Sequence, residues 1–449
     1  MTSEGSSSSG GDNPLERRVA SWVQVVLQPY LKRYPRNPHK EPKQIHDPIG
    51  RVIELQPWEI YVLDSPLMQR LRYIRQLGVG QFLFPSSGYS RFEHSLGALE
   101  TANQMFEYVR QAPVPGRASA GPIYKDEGFT ARRDVVRLAA LLHDVGHCVF
   151  SHVSERFYGR HPEVQALQSQ FSTHYKTHLT PSEVLSLLIL KSEPFLALLT
   201  AAMPRRLEYA EAEIAHLVCS CVAGSKHSLV PDCFMAEIVN GPVDCDKLDY
   251  LARDAHMAGV PISLDIDRLL SKLRLVRTKG DDDREVFSIA VVPSGTRALD
   301  ELLVSRIFMY DKFYYHPKIM AAEELIRRAL HTLKKAFPVL QDPAVLLPFG
   351  DDDFLAHTPQ TLKARFGKEQ DVAALTTGCE LLRRTRSRDL PKRAFAVARR
   401  YLPELPDLAA RFETGGKEDP IPLGLYEFLT LCAFSKRCSP FSLNSAPFS

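Results

Sequence analysis

Apolar residues recur along this chain mostly at three- and four-residue spacing, the period that gathers them on one face of an α-helix. Between 15 and 34, Val19, Trp22, Val23, Val26 and Leu27 form such a stripe. Residues 65–77 open on Ser65-Pro66 and carry Leu67, Met68, Leu71, Ile74 and Leu77 at the same spacing, which predicts a helix. The pattern continues over 94–111, 133–146, 181–202, 209–223, 246–257, 297–315 and 318–337. Strand signals are few. Residues 43–57 read as a turn and a short strand, because Asp47-Pro48 disfavours helix and β-branched residues follow. The stretch 277–285, with TKGDDDRE at its core, predicts the tip of a hairpin. Breaks fall at 113–131, 224–232 and 340–358 as well. The expected fold class is mostly α, with minor short β-strands and a hairpin.

The same pattern suggests the domain organisation. The Ser/Gly-rich opening MTSEGSSSSGGD lacks apolar surface to bury, so residues 1–14 are expected as a disordered tail. Residues 15–42 form an N-terminal helical extension. No linker divides 43–337, which reads as one helical domain, and 338–449 as an α-rich C-terminal region with a regulatory or oligomerisation role.

Composition narrows the function classes. Hydrophobic residues make up 44% of 449, enough for a substantial core. The formal charge of +3 gives no global basic field for nucleic acid, so any polyanion site must be local. The run 383–400 (RRTRSRDLPKRAFAVARR) is basic, yet a solvated helical face is the commoner fate of such a run, and nucleic acid is a secondary partner reading. No apolar run approaches the ~18 residues of a membrane span. The eight cysteines are scattered without a double Cys-x-x-Cys pattern, which suits buried free thiols in a reducing cytoplasm.

Three segments carry chemistry. Residues 139–152 read AALLHDVGHCVFSH, where His143 and Asp144 offer an imidazole and a carboxylate to one cation, with His147 four residues after His143. A capping aspartate among surface histidines is the structural alternative. Arg91-Phe92-Glu93-His94 opens an apolar-periodic helix, leaving His94 free to face a cleft. In DCDKLDYLARDAH (244–256), Asp246, Asp249, Tyr250, Arg253 and Asp254 share one helical face, as a cleft wall or a solvated stripe. Mixed His/carboxylate ligation fits Mn, Mg, Fe, Zn or Ni. Arg91, Lys247, Arg253 and Arg306 offer positive charge for phosphates.

Taken in order, Asp47-Pro48-Ile49, DSPLMQRLRYIRQLGVGQFLFP (64–85), YSRFEHSLG (89–97), HDVGHCVFSH (143–152), DCDKLDYLARDAHMAGV (244–260) and RIFMYDKFYYHPK (306–318) resemble the blocks of the HD-domain deoxynucleoside triphosphate triphosphohydrolases. The resemblance implies an HD-domain helical fold over 43–337 and one divalent metal ion per active site, held by His94, His143, Asp144 and Asp246. It implies acid/base or phosphate-contacting roles for His147, His152 and His178, the last in flanks (KTHLTPSE) that depart from the family. Arg91, Lys247, Tyr250 and Arg306 would hold a triphosphate. Gln76 and Asp254 would contact the sugar 3′-hydroxyl, and Leu77 and Tyr314 would crowd its 2′ position, a physically reasonable way to refuse a ribonucleotide.

The implied reaction is hydrolysis of a dNTP to deoxynucleoside and inorganic triphosphate. The resemblance further suggests a homo-oligomer, dimer or tetramer, activated by a nucleotide effector at Lys43, Asp64, Gln69, Arg72 and Arg268. His46 stands where such relatives carry Asn. Two other functions compete: an HD phosphohydrolase on another nucleotide or phosphodiester, and a non-catalytic nucleotide sensor.

Overall fold

The computed structural model describes residues 13–111, 128–203, 210–280 and 283–391. The expectations for residues 1–12, most of the 113–131 break, Cys432, Cys438, the end of the basic run and the C-terminal tail lie outside these. Among the described residues, nineteen α-helices accompany only two two-stranded sheets, so the fold is mostly α. The described chain forms two compact units. One is drawn from Met1–Ile307 and Phe337–Phe354, the other from Phe308–Ala336 and Leu355–Ser449. The first unit thus includes the N-terminal helix, and the 318–337 stripe belongs to the second.

In the first unit, helix α1 (Pro14–Arg33) buries Leu15, Val19, Val23 and Leu27, as its stripe predicts. Asn13 caps it by accepting from the Leu15 N–H at 2.9 Å. Strands β1 (Lys43–His46) and β2 (Val52–Leu55) pair antiparallel, with His46 opposite Val52. Gly50, at φ 85°, makes the turn between them. Helix α2 (Pro57–Leu63) follows. The helix expected over 65–77 is cut short: Pro66–Gln69 is a single α-turn, continued by a 3-10 turn over Arg70–Tyr73. Tertiary pairing overrides propensity there. The Gln76 N–H donates to Tyr89 O, the Arg91 N–H donates to Ile74 O, and Arg75 bridges Ser90.

Helices α3 (Arg91–Gln111) and α4 (Gly128–Leu142) pack together at the centre of this unit. Helix α5 (His152–Tyr158) comes next. The 181–202 stripe is two helices, α6 (Pro181–Leu190) and α7 (Glu193–Ala202), bent by 62°. Pro194 has no N–H to continue the ladder, and Ser192 starts the new helix. This buried pair aside, no described helix is long and apolar enough to cross a membrane. Helix α8 (Cys245–Ala258) starts at Asp244, which accepts from the Lys247 N–H, and stops at Gly259 with φ 66°. It lies against α3. Strands β3 (Leu273–Lys279) and β4 (Glu285–Val291) form the expected hairpin.

In the second unit, helix α9 (Pro317–Ala336) packs on α10 (Val372–Arg386). Gly378 permits that contact, since a Cβ there would strike the Leu333 side chain at 2.5 Å.

Candidate metal centre

His94 sits in the first turn of α3 with its ring fully buried. Its Nδ1 lies 2.9 Å from Asp249 Oδ2 on α8. Asp249 is itself locked: Arg253 donates to both its oxygens at 2.9 Å, and Arg51 reaches Oδ1 at 2.5 Å. Arg253 in turn forks onto Asp47 at 2.7 and 2.8 Å. With Nδ1 donating to a carboxylate, a neutral ring keeps the lone pair on Nε2, the nitrogen that faces Asp246. Gly97 makes this possible, because a Cβ there would overlap the Arg253 guanidinium and the Asp249 carboxylate. Arg253, offered by the charge pattern to substrate phosphates, is fully spent inside this network.

His143 and Asp144 follow the last residue of α4 in a turn, so both side chains leave the helix end. Ala140 O holds His143 Nδ1 at 2.7 Å. The turn presses onto α6 at Gly146, where a Cβ would overlap the backbone of Ser186 and Ser182. Asp246 comes from the first turn of α8. Its Oδ1 lies 3.0 Å from His94 Nε2 and 3.7 Å from His143 Nε2. Asp144 lies 3.8 Å from His94 Nε2 and 3.5 Å from His143 Nε2. Both Nε2 atoms are buried with no hydrogen-bond partner. Donors at this mutual spacing suit a common cation about 2.1 Å from each, and two orphaned imidazole nitrogens facing two carboxylates are what such a cation satisfies.

The electrostatics agree. Burial opposes a charge on His94, yet Asp246 and Asp249 carry it up to about 10. Burial likewise opposes the Asp144 carboxylate, but Arg91, His143 and His147 hold it well below the usual range. Asp246 is depressed against burial by His143 and His94. Burial and the neighbouring Arg91 push His147 down to about 4.

A cavity of about 220 Å³ opens on this cluster, and Gln76, Arg91, His147, His152 and Tyr250 line it. Arg91 donates to Asp144 at 2.5 Å and to Ser151 Oγ at 2.8 Å, while its Nη2 is buried without a partner. Gln76 Oε1 and His147 Nδ1 are orphaned in the same way. His147 Nε2 is 3.2 Å from Asp144, and the His152 ring stands edge-on at 5.2 Å. Glu155 holds His152 Nδ1 at 2.8 Å and is itself held by Ser182 at 2.7 Å.

Other expected residues lie elsewhere. His178 is exposed, in the loop before α6. The Lys247 ammonium is engaged by Asp244 and by Gly241 O. Asp254 is buried and accepts from the Tyr89 hydroxyl. Leu77 is half-buried beside Gln76, Arg306 is on the helix Thr296–Met309, and Tyr314 ends a π-helical turn in the second unit. Lys43, Asp64, Arg72 and Arg268 are exposed. Arg72 donates to Gln69 at 2.8 Å and lies over the Phe92 ring, while Asp64 pairs with His39 at 3.3 Å.

Residue patterns missed several participants. Asp249 orients a ligand rather than being one; its three-residue step from Asp246 was the available signal. Glu155 stands three residues after His152, a pairing that helical spacing could have suggested. Thr180, Ser182, Glu183 and Asn240 line the cavity with no sequence signal at all.

Comparison with known proteins locates this centre. The HD domain family matches residues 91–219, and the HD associated region matches 264–414. The uncharacterized protein MJ1154 of Methanocaldococcus jannaschii is 28% identical over 289 residues, covering 64% of this chain and 49% of the relative. The human deoxynucleoside triphosphate triphosphohydrolase SAMHD1 is 32% identical over 273 residues, covering 58% and 39%. Its mouse counterpart is 33% identical over 292 residues, covering 61% and 41%. The chain spans about half the length of the curated relatives it matches. The chain therefore carries an HD domain, the hallmark of a superfamily of metal-dependent phosphohydrolases, which encloses His94, His143 and Asp144 and is followed by the HD associated region.

Proposed function

We propose that this protein hydrolyses deoxynucleoside triphosphates to deoxynucleoside and inorganic triphosphate. The observation that carries the reading is the pair of orphaned Nε2 atoms beside Asp144 and Asp246, in a cavity whose wall also presents the unpartnered Arg91 Nη2. His94, His143, Asp144 and Asp246 would hold one divalent ion, which supplies Lewis acidity at a phosphoryl oxygen and lowers the pKa of water. Arg91, fixed by Asp144 and Ser151, keeps Nη2 for a phosphate oxygen. His147 is neutral at pH 7 and so able to take a proton from the attacking water as the P–O5′ bond breaks. His152, polarised by Glu155, is placed to return a proton to O5′. Gln76 Oε1 is an unsatisfied acceptor for a sugar hydroxyl.

In the same reading the protein is a cytoplasmic homo-oligomer switched by a nucleotide at Lys43, Asp64, Gln69, Arg72 and Arg268. Support for that site is the exposure of Lys43, Asp64, Arg72 and Arg268 and the guanidinium of Arg72 laid over Phe92. Support for the compartment is that the six described cysteines are free and buried. One observation favours a second reading, phosphohydrolysis of a smaller nucleotide: the cavity of about 220 Å³ is below the usual size of a small-molecule site.

The test is product analysis by chromatography with each dNTP and dNMP plus Mn or Mg, with and without a second nucleotide. Nucleoside and triphosphate are expected. Orthophosphate from a monophosphate would favour the second reading, and rates indifferent to other nucleotides would remove the effector site. The double variant His143→Ala/Asp144→Ala should lose both bound metal and turnover; hydrolysis retained by it would refute the metal assignment.

A further inference from the structure

The turn that carries His152 into the cavity is strained. Phe150 at φ 61° and Ser151 at φ 49° both lie in the left-handed region, and neither is glycine. Such a pair persists only where its surroundings over-determine it. One side chain does most of this. Asp351 is buried, its Oδ1 accepting the Phe150 N–H at 2.7 Å and its Oδ2 the Arg75 N–H at 2.9 Å. Ser151 Oγ closes the ring, donating to Arg75 O at 2.8 Å and accepting from Arg91 Nε at 2.8 Å. The carboxylate therefore joins two segments bearing cavity residues: Gln76 follows Arg75, and His152 follows Ser151.

The same stretch of chain supports the other end of the catalytic turn. Leu347 O accepts from Arg70, which also donates to the carbonyls of His147 and Val145. Trp22 of α1 lies against that guanidinium. The Phe150 ring packs edge-on against Phe354 at 5.5 Å. The Asp351, Leu347 and Phe354 contacts all come from Phe337–Phe354, a segment of the first unit whose flanking residues on both sides belong to the second.

We infer that Asp351 is a positioning residue: its two oxygens hold the Phe150-Ser151 turn in its left-handed form and thereby set where His152 stands in the cavity. A carboxylate is needed because each N–H requires its own acceptor. Asn would offer one oxygen and turn an NH₂ group toward the other N–H; Ala would offer none, leaving two buried donors unpaired. The kinetic part of this inference rests on the hydrolase reading above.

The experiment compares Asp351→Ala and Asp351→Asn with the wild-type full chain, using Mn and the dNTP it turns over fastest. The expected result is a kcat at least tenfold lower for Ala and a smaller loss for Asn. KM should stay within about threefold, and metal stoichiometry should not change, because no ligand is touched. Amide exchange at Phe150 should quicken, and the His152 imidazole resonance should move. If the Ala variant does not fold, the near-isosteric Asn variant decides, with at least a threefold fall in kcat expected. Wild-type kcat in a folded variant, or a kcat that falls only in step with lost metal, would overturn the inference. If the wild-type protein turns over no dNTP, the hydrolase reading fails alone. Phe150 exchange and the His152 resonance then decide for Asp351: altered signals uphold it and unaltered signals end it.

Discussion

At the scale of single residues, Asp249 shows how much of the centre is support. It touches no ion position, yet it fixes the tautomer and tilt of His94 while serving as counter-ion to Arg253 and Arg51. Asp249→Asn should therefore weaken metal binding by about 10–100-fold, the usual effect of losing a ligand's orienting partner. Isothermal titration with Mn would read it; unchanged affinity would mean that His94 is held by packing alone. His94 also sets a pH dependence. Without metal its pKa is raised to about 10, so the ring is protonated at pH 7, whereas ligation requires it neutral. Metal uptake should expel more than one proton at pH 7, since Asp144 and Asp246 raise His143 against its burial as well, and affinity should climb as pH rises. Titrations in two buffers of different ionisation enthalpy would show the release. His143 and Asp144 were legible as a cation pair from residue type and spacing; His94 and Asp246 joined them only through the family resemblance. Asp249 was not recognised as a support, because its partner lies 155 positions away.

At the scale of elements, helix ends do the placing. α4 stops at Leu142 so that His143 and Asp144 project from its lip, and α8 begins at Asp244 so that Asp246 lies in its first turn. The turn after α4 can reach the cavity only because Gly146 lets it lie on the α6 backbone. Gly146→Ala puts a methyl group against main chain that cannot rotate away. It should cost about 1–3 kcal/mol as an overpacking change, seen as a fall of several degrees in Tm together with weaker metal binding. A melt identical to wild type would show that the two elements are not in close contact. Element reading succeeded where the apolar face is long and continuous, as in α1, α3 and α8. It failed at 65–77, where the backbone of 74–76 pairs with 89–91, and at 181–202, where Pro194 divides one stripe into two helices.

At the scale of the whole molecule, the proposed metal ligands come from three places far apart in the chain: position 94, positions 143–144 and position 246. An ion held by them would cross-link α3, the end of α4 and α8, and only in the folded state. Ligand-linked stabilisation reaches about 2.7 kcal/mol at one hundred times Kd. Mn should raise Tm by several degrees and chelation should lower it again. The double variant His143→Ala/Asp144→Ala should not respond to either; a response there would place the stabilising ion elsewhere.

The sequence by itself determined the helical class, the long apolar stripes of α1, α3 and α8, the His143-Asp144 pair, and the ordered family blocks that add His94 and Asp246 to it, because periodicity and local residue order encode these. Only the tertiary structure decided which polar residues serve the centre and which serve one another. Arg253 turned out to be an internal counter-ion, Asp254 a partner of Tyr89, and Asp351 the acceptor for a strained turn 201 positions earlier. Those assignments depend on which buried donors meet which acceptors after packing. The free energy of a buried polar group is set by its neighbours in space, which residue spacing along a chain does not specify.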